Sequence, residues 1–383
     1  MPTIVDVEVG KTTFRYQAGR VESPALHAIS HTAIFPPKAD EKDNEVKLFY
    51  RRPIDTLKPV IVYVMEKEIN MRSKKNDKGK AISEHGDFPY PYDSKRLHIG
   101  LPNKEGTGTI LKPREITTAE STHGGKVVSL VGGAKYGAAQ ECQIYVVGRE
   151  GTAVPPTLSP NLTAEERARI LEEISMGREK SGKTVYNWKQ SFDEVVRHFK
   201  SEKKKKPDLL AVMNISVGFV STKERRQALN TVADAGIIIV AAAGNDHFDF
   251  DRHPESMVLP EAMDEVIVIG ALSPQATIWQ QDSRNERGED IIIGSNYGQR
   301  VDYWLRGEEI PCLSGATGYK MSVTGTSFAA PVAAGVIANM LSSGQASTVK
   351  EVRKLLDAWA RIVDGRKYLK NAPGLNVNQK PSL

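Results

Sequence analysis

The segment Gly325-Thr-Ser-Phe-Ala-Ala-Pro-Val-Ala-Ala-Gly335 sets a serine between a small turn and a run of small residues that continues through Leu341. This pattern predicts a helix with Ser327 at its N-terminus. A hydroxyl there is exposed among free backbone N–H groups, and the helix dipole favours negative charge developing beside it. That is an environment for a nucleophile. A serine at a helix start also reads as an N-cap, which needs no chemistry at all. Ala329, Ala330, Ala333, Ala334 and Gly335 let the helix pack closely in a core. Other chemistry-bearing residues suggest less. Asp246, Asp249 and Asp251 are close together but lack the spacing of a calcium loop and read as a polar surface turn. Cys142 and Cys312 can form neither a disulfide framework nor a metal-ligand pair, so a reducing compartment is the simplest reading. Asn161-Leu-Thr163 is a glycosylation acceptor only in a secreted chain.

Elements must position such a serine, and the composition allows them. The chain has 383 residues, 40% hydrophobic and 26% charged, with a net charge of +5. This is a globular composition, and the mild positive excess, concentrated at Lys203 to Lys206, does not call for nucleic acid. No apolar run reaches the roughly 18–20 residues of a membrane span. The opening residues lack the basic and apolar regions of a signal peptide, so the expected location is cytoplasmic. Residues 1–55 read as an N-terminal extension without its own core. From about residue 57, apolar strands alternate with helices, which predicts an α/β fold with a mostly parallel central sheet and helices on both faces. The strands are Val60–Met65, Gln143–Val147, Leu209–Met213, Ile237–Ala241 and Val266–Ile269. Capping boxes at Thr163–Glu166 and Ser221–Glu224 open helices. A further helix carries Trp188, Phe192, Val195, Val196 and Phe199. Residues 347–360 form the last helix, with Val349, Val352, Leu355, Leu356 and Trp359 on its apolar face. Residues 56–365 form the main domain, with a long loop at 67–115 and an insertion at 148–207. Residues 366–383 are read as a C-terminal tail.

The serine segment resembles the nucleophile motif of the subtilisin-like serine proteases, the subtilases. The likeness spans roughly residues 57–361. Val240-Ala-Ala-Ala-Gly-Asn245-Asp is similar to the family segment that ends in the oxyanion-hole asparagine. Met213-Asn-Ile-Ser-Val-Gly218 is similar to the segment that pairs with the substrate backbone and borders the first specificity pocket. Thr122-His-Gly-Gly-Lys-Val-Val-Ser129 resembles the histidine motif, with Lys126 where a second histidine is usual. Gly137–Val147, Pro260–Ala271 and Ser295-Asn-Tyr-Gly298 match further landmarks in the right order.

The resemblance implies the three-layer subtilisin-like fold and a serine endopeptidase acting on a polypeptide substrate. Ser327 would be the nucleophile, His123 the general base and Asn245 an oxyanion donor. Ser216, Val217, Gly218, Ala243 and Gly244 would line the substrate site. The acid departs from the pattern. Where the family ends its first core strand with Asp, a small polar residue and Gly, this chain has Glu66-Lys-Glu68, so Glu66 takes the acid's place. Its extra methylene demands a shifted backbone or a different rotamer. An exposed strand-end carboxylate is the competing reading of Glu66, and Asp6 and Asp87 are rival acids. No cofactor or metal is read from the residues; a structural calcium is implied by the resemblance alone. Two alternatives stay open: a pseudoprotease that binds peptides without cleaving them, and a protease gated by a regulatory protein partner. The sequence does not set the oligomeric state.

Overall fold

The computed structural model describes residues 3–9, 12–20, 23, 25–26, 30, 49–53, 58–66, 68–69, 73–75, 81–83, 96–105, 109–111, 114–115, 122–148, 163, 188–219, 221–285, 288–313 and 320–371. Residues 164–166 of the capping box that begins at Thr163, more than half of the 67–115 loop including Asp87, and residues 149–162 and 164–187 of the insertion lie outside the described residues.

A nine-stranded sheet forms the centre. Its strands in chain order are β1 (Val60–Met65), β2 (Leu97–Ile99), β3 (Gln143–Val147), β4 (Leu210–Ile215), β5 (Ile237–Ala242), β6 (Ile267–Leu272), β7 (Tyr303–Arg306), β8 (Arg361–Val363) and β9 (Arg366–Tyr368). Across the sheet they run β8-β9-β7-β6-β5-β4-β1-β3-β2. All neighbours are parallel except β8 and β9, which form an antiparallel hairpin. Strands buried on both faces need apolar residues at every position, and β1, β4 and β6 are buried throughout. The two-residue period then divides each strand between two cores. Val60, Val62 and Val64 face one, while Ile61, Tyr63 and Met65 face the other.

Helices fill both faces. α1 (His123–Gly132), α4 (Thr326–Ser342) and α5 (Val349–Trp359) cover the first core, and α2 (Trp188–Lys205) and α3 (Lys223–Asp234) the second. The three-layer α/β expectation therefore holds. The small residues of α4 act as read from sequence: a Cβ on Gly335 would lie 2.7 Å from both Ala138 Cβ and the Val131 carbonyl oxygen, so the helix packs at backbone distance. On α5, Thr348 caps the N-terminus by accepting from Glu351 N–H at 3.2 Å. Val352, Leu356 and Trp359 are buried, with Val349 and Leu355 packed against the core. On α2, Phe192, Val195, Val196 and Phe199 are buried, and the last turn carries Lys203, Lys204 and Lys205, where cations favour the dipole. His198 of α2 shares a 2.7 Å hydrogen bond between its Nδ1 and the Tyr63 hydroxyl of β1. Burial pulls the His198 pKa down to about 4.

Four expectations need correction. The cap of α3 is Thr222, one residue later than read: its backbone is extended and its side chain accepts from Arg225 N–H, while Ser221 accepts from the Arg226 guanidinium. The described half of the 148–207 insertion is a structural layer, because α2 covers the sheet. The domain does not stop at 365, since β9 pairs with β7 and Tyr368 and Leu369 are buried. The sheet also gains β2, β7, β8 and β9, which are short and lack the long apolar runs of the strands that were read. The N-terminal extension forms a three-stranded antiparallel sheet of Thr3–Val9, Thr12–Arg20 and Phe49–Pro53. It is tied to the domain through buried Tyr16, whose hydroxyl donates to the Asn371 carbonyl at 3.3 Å and accepts from Gln345 Nε2 at 2.5 Å. No helix among the described residues is long and apolar enough to cross a membrane.

Candidate active site

Strands β5, β4 and β1 are adjacent and parallel, so their C-terminal ends align. Glu66 follows β1, Ser216 follows β4, and Ala243 to Asn245 follow β5. In an open parallel sheet the crevice at these ends is where ligands bind. Helix α1 brings His123 and helix α4 brings Ser327 to the same rim.

Glu66 is not an exposed strand-end carboxylate. Its side chain is 2% exposed, and both Oε1 and Oε2 lie 3.0 Å from His123 Nδ1. Its own N–H donates to the Val147 carbonyl at 3.0 Å, which fixes the end of β1. His123 is the first residue of α1, where Thr122 caps the helix by accepting from Gly125 N–H. Gly124 lets the start of α1 approach the end of β1 closely. A Cβ there would collide with the Glu68 carbonyl oxygen and would sit 3.2 Å and 3.3 Å from Glu66 Cβ and Cγ. The helix start thus rests on the stem of Glu66. Asp6 is exposed in the first hairpin and pairs across from Arg15 there.

Ser327 is not an N-cap. That position belongs to Gly325, whose φ of 141° favours glycine. Ser327 is the second residue of α4, with its N–H among the unbonded donors of the first turn. Its hydroxyl donates to the Ser216 carbonyl at 3.1 Å. The carbonyl of Ser327 would ordinarily accept from residue 331, but Pro331 has no N–H. The Ser216 hydroxyl fills that gap at 3.0 Å, and accepts in turn from Asn214 Nδ2 at 3.0 Å. Ser216 and Ser327 are therefore bonded twice.

Asn245 reaches the same place from β5. Its Oδ1 accepts from Thr326 N–H at 2.9 Å and from the Thr326 hydroxyl at 2.8 Å. With the oxygen engaged by Thr326, the Nδ2 amide is the donor that the Asn245 side chain has to offer. Thr326 Oγ1 also accepts from Gly244 N–H at 3.1 Å. Asn296 orders the rest of the loop: its Nδ2 donates to the Ala243 carbonyl at 2.8 Å, and its Oδ1 accepts from Asp246 N–H at 3.1 Å and Phe248 N–H at 2.9 Å. Gly244, with φ 96°, leaves no room for a Cβ against Asn296 Nδ2. On the other wall, Val217 is half-buried and Gly218 exposed, with Val258 Cγ2 3.0 Å from where a Gly218 Cβ would stand.

All the sequence-read site residues thus gather at one rim. The sequence reading did not assign roles to Thr326, Asn296, Gly124, Asn214 or Phe328. Thr326 and Phe328 flank the serine, and Asn296 lies in a noted landmark, so position was the signal available. No group of three or more His, Cys, Asp and Glu side chains among the described residues could hold a metal ion. Asp249 Oδ1 accepts from Asp251 N–H within a local turn, and Asp251 Oδ1 accepts from Gln299 N–H, tying that turn to a loop 48 residues on.

The family model described as the subtilase family matches residues 102–376. The chain belongs to the subtilase family. The match includes His123, Asn245 and Ser327, and begins after β1 and Glu66. Among curated subtilases, "Subtilisin-like protease 2" of Arthroderma otae is 26% identical over 247 residues, covering 64% of this chain and 47% of that protein. The protein of the same name from Arthroderma benhamiae is 25% identical over 285 residues, covering 70% and 56%. The chain spans about half the length of these curated relatives. A solved structure of a cold adapted subtilisin-like serine proteinase matches with a TM-score of 0.51 and 18% identity, over 91% of this chain and 97% of that one. At that identity the likeness concerns the subtilase fold.

Proposed function

We propose that this subtilase is a serine endopeptidase that cleaves polypeptides by acyl transfer. Ser327 Oγ attacks the scissile carbonyl. His123 Nε2 takes its proton and later gives it to the leaving amine. Glu66 accepts from Nδ1–H, which leaves Nε2 as the free base, and its charge stabilises the imidazolium. Asn245 Nδ2 and the Ser327 N–H receive the oxyanion. Ser216 to Gly218 would take the substrate as an added strand, with Ala243 and Gly244 opposite. The observation that carries this reading is the buried Glu66 carboxylate with both oxygens on His123 Nδ1. A residue kept only for peptide binding has no use for that arrangement.

One observation favours the second reading, a peptide-binding module without catalysis or one that awaits a partner. The Ser327 hydroxyl donates to the Ser216 carbonyl and not to His123. Catalytic hydrogen bonds are often misaligned before substrate binds, so endopeptidase activity remains the better account. The deciding experiment is intact mass after incubation with a fluorophosphonate, with peptide mapping and Ser327→Ala as control. A single adduct on Ser327 supports the endopeptidase. No adduct on folded protein would overturn it in favour of the second reading.

A further inference from the structure

A hydrogen bond at one ring nitrogen fixes a point of an imidazole, not its plane. Among the described residues, His123 has its two Glu66 oxygens at Nδ1 and one ring contact, to Phe328. The ring centroids are 5.3 Å apart with planes tilted by 43°, within the range of a favourable aromatic pair. His123 itself is 37% exposed, so bulk packing does not hold it. The Ser327 hydroxyl does not hold it either, being bonded to Ser216.

Phe328 is suited to be the missing support. It is 8% exposed, sits in the first turn of α4, and its Cδ2 lies 3.7 Å from where a Gly325 Cβ would stand. It is therefore a rigid wall, and it is the residue next to the nucleophile. We infer that Phe328 is a positioning residue: its ring sets the plane of His123, and so the placement of Nε2 against Ser327 Oγ. The inference rests on the endopeptidase reading for its catalytic consequence, though not for the ring contact.

The test uses the full chain with Phe328→Leu, which keeps an apolar side chain, and Phe328→Tyr, which keeps the ring. Phe328→Met replaces the leucine variant if that one fails to fold. Turnover of a peptide substrate and the low-field proton resonance of His123 Nδ1–H are both read. Expected for Phe328→Leu is a three- to tenfold fall in kcat, about the worth of one aromatic contact, with KM unchanged and the resonance broadened or moved. Phe328→Tyr should keep wild-type kcat and resonance. Wild-type kcat and resonance in Phe328→Leu would overturn the inference, as would an equal loss in both variants. If wild type gives neither turnover nor a Ser327 adduct, the endopeptidase reading has failed, and the resonance still decides whether Phe328 holds the ring.

Discussion

On the endopeptidase reading, replacing Glu66 by aspartate, the residue usual in the family, should slow turnover. Both carboxylate oxygens stand 3.0 Å from His123 Nδ1. Glu66→Asp withdraws the carboxyl group by about one C–C bond, ~1.5 Å. The backbone cannot follow, because Glu66 N–H is bonded to Val147 and β1 is held in register between β3 and β4. The separation then exceeds about 4 Å, beyond hydrogen-bond range. A charge-assisted hydrogen bond is worth about 1.5–3 kcal/mol, so kcat should fall by about 10–10². Glu66→Gln keeps the length and removes the charge that stabilises the imidazolium. Neutralising the acid costs about 10⁴ in other serine proteases, a figure carried over from them and not worked from this site. The expected order of kcat is wild type, Glu66→Asp, Glu66→Gln. The assay is kcat on a chromogenic peptide substrate, with thermal midpoints to exclude unfolding. An aspartate variant as fast as wild type would refute the geometric argument, and a fully active glutamine variant would remove Glu66 from the mechanism.

Asn245→Ala should lower kcat by about 10²–10³ with little change in KM, the cost of one oxyanion donor as measured in subtilisin; steady-state kinetics checks it. Ser216→Ala strands the Ser327 carbonyl and Asn214 Nδ2, at a cost of about 1–3 kcal/mol in urea unfolding. In a Pro331→Ala background that cost should shrink, because residue 331 regains the N–H that the Ser327 carbonyl lacks; equal costs in both backgrounds would contradict the role given to Pro331. His198 makes stability depend on pH. Its folded pKa, about 4, lies below the ordinary 6.5, so the unfolded chain binds the extra proton in that window. Stability is then complete above pH 6.5 and falls as pH drops towards 4, by about 3 kcal/mol in all. His198→Gln should flatten this slope in urea midpoints measured from pH 7 to 4.

What the sequence made legible follows from strand length and burial. β1, β3, β4, β5 and β6 are largely apolar runs, as burial against helices on both sides of the sheet favours. Gln143 of β3 is half-buried, and Asn214 of β4 is a buried polar exception. β2, β8 and β9 have three residues each, and His98, Arg361 and Arg366 interrupt any apolar pattern. Only their pairing partners, distant in sequence, define them. The serine, histidine and asparagine segments were legible because glycines and small residues mark where backbone meets backbone at the rim. The supports of those segments were not. Thr326 acts through Asn245, 81 residues away, and Asn296 through a loop some fifty residues earlier. A side chain that acts by holding another carries no local pattern of its own.

The acid shows the same point from the other direction. The end of β1 is pinned, so a longer acid cannot be accommodated by moving the strand back. The carboxylate is presented beside the start of the histidine helix, which meets that strand closely. There the first residue after His123 is a glycine whose missing Cβ would have stood 3.2 Å from Glu66 Cβ and 3.3 Å from Cγ. With that space open, the stem of Glu66 lies beneath the start of α1 and presents both oxygens at equal distance to Nδ1. The geometry delivers a carboxylate with both oxygens on one nitrogen. The glycine after His123 serves the close approach of the helix start to the Glu68 carbonyl and to Glu66 Cβ and Cγ, atoms that an aspartate also has. The motif difference between Asp and Glu is then a difference in reach, not in chemistry, which is why shortening the side chain alone, without moving α1, is expected to cost activity.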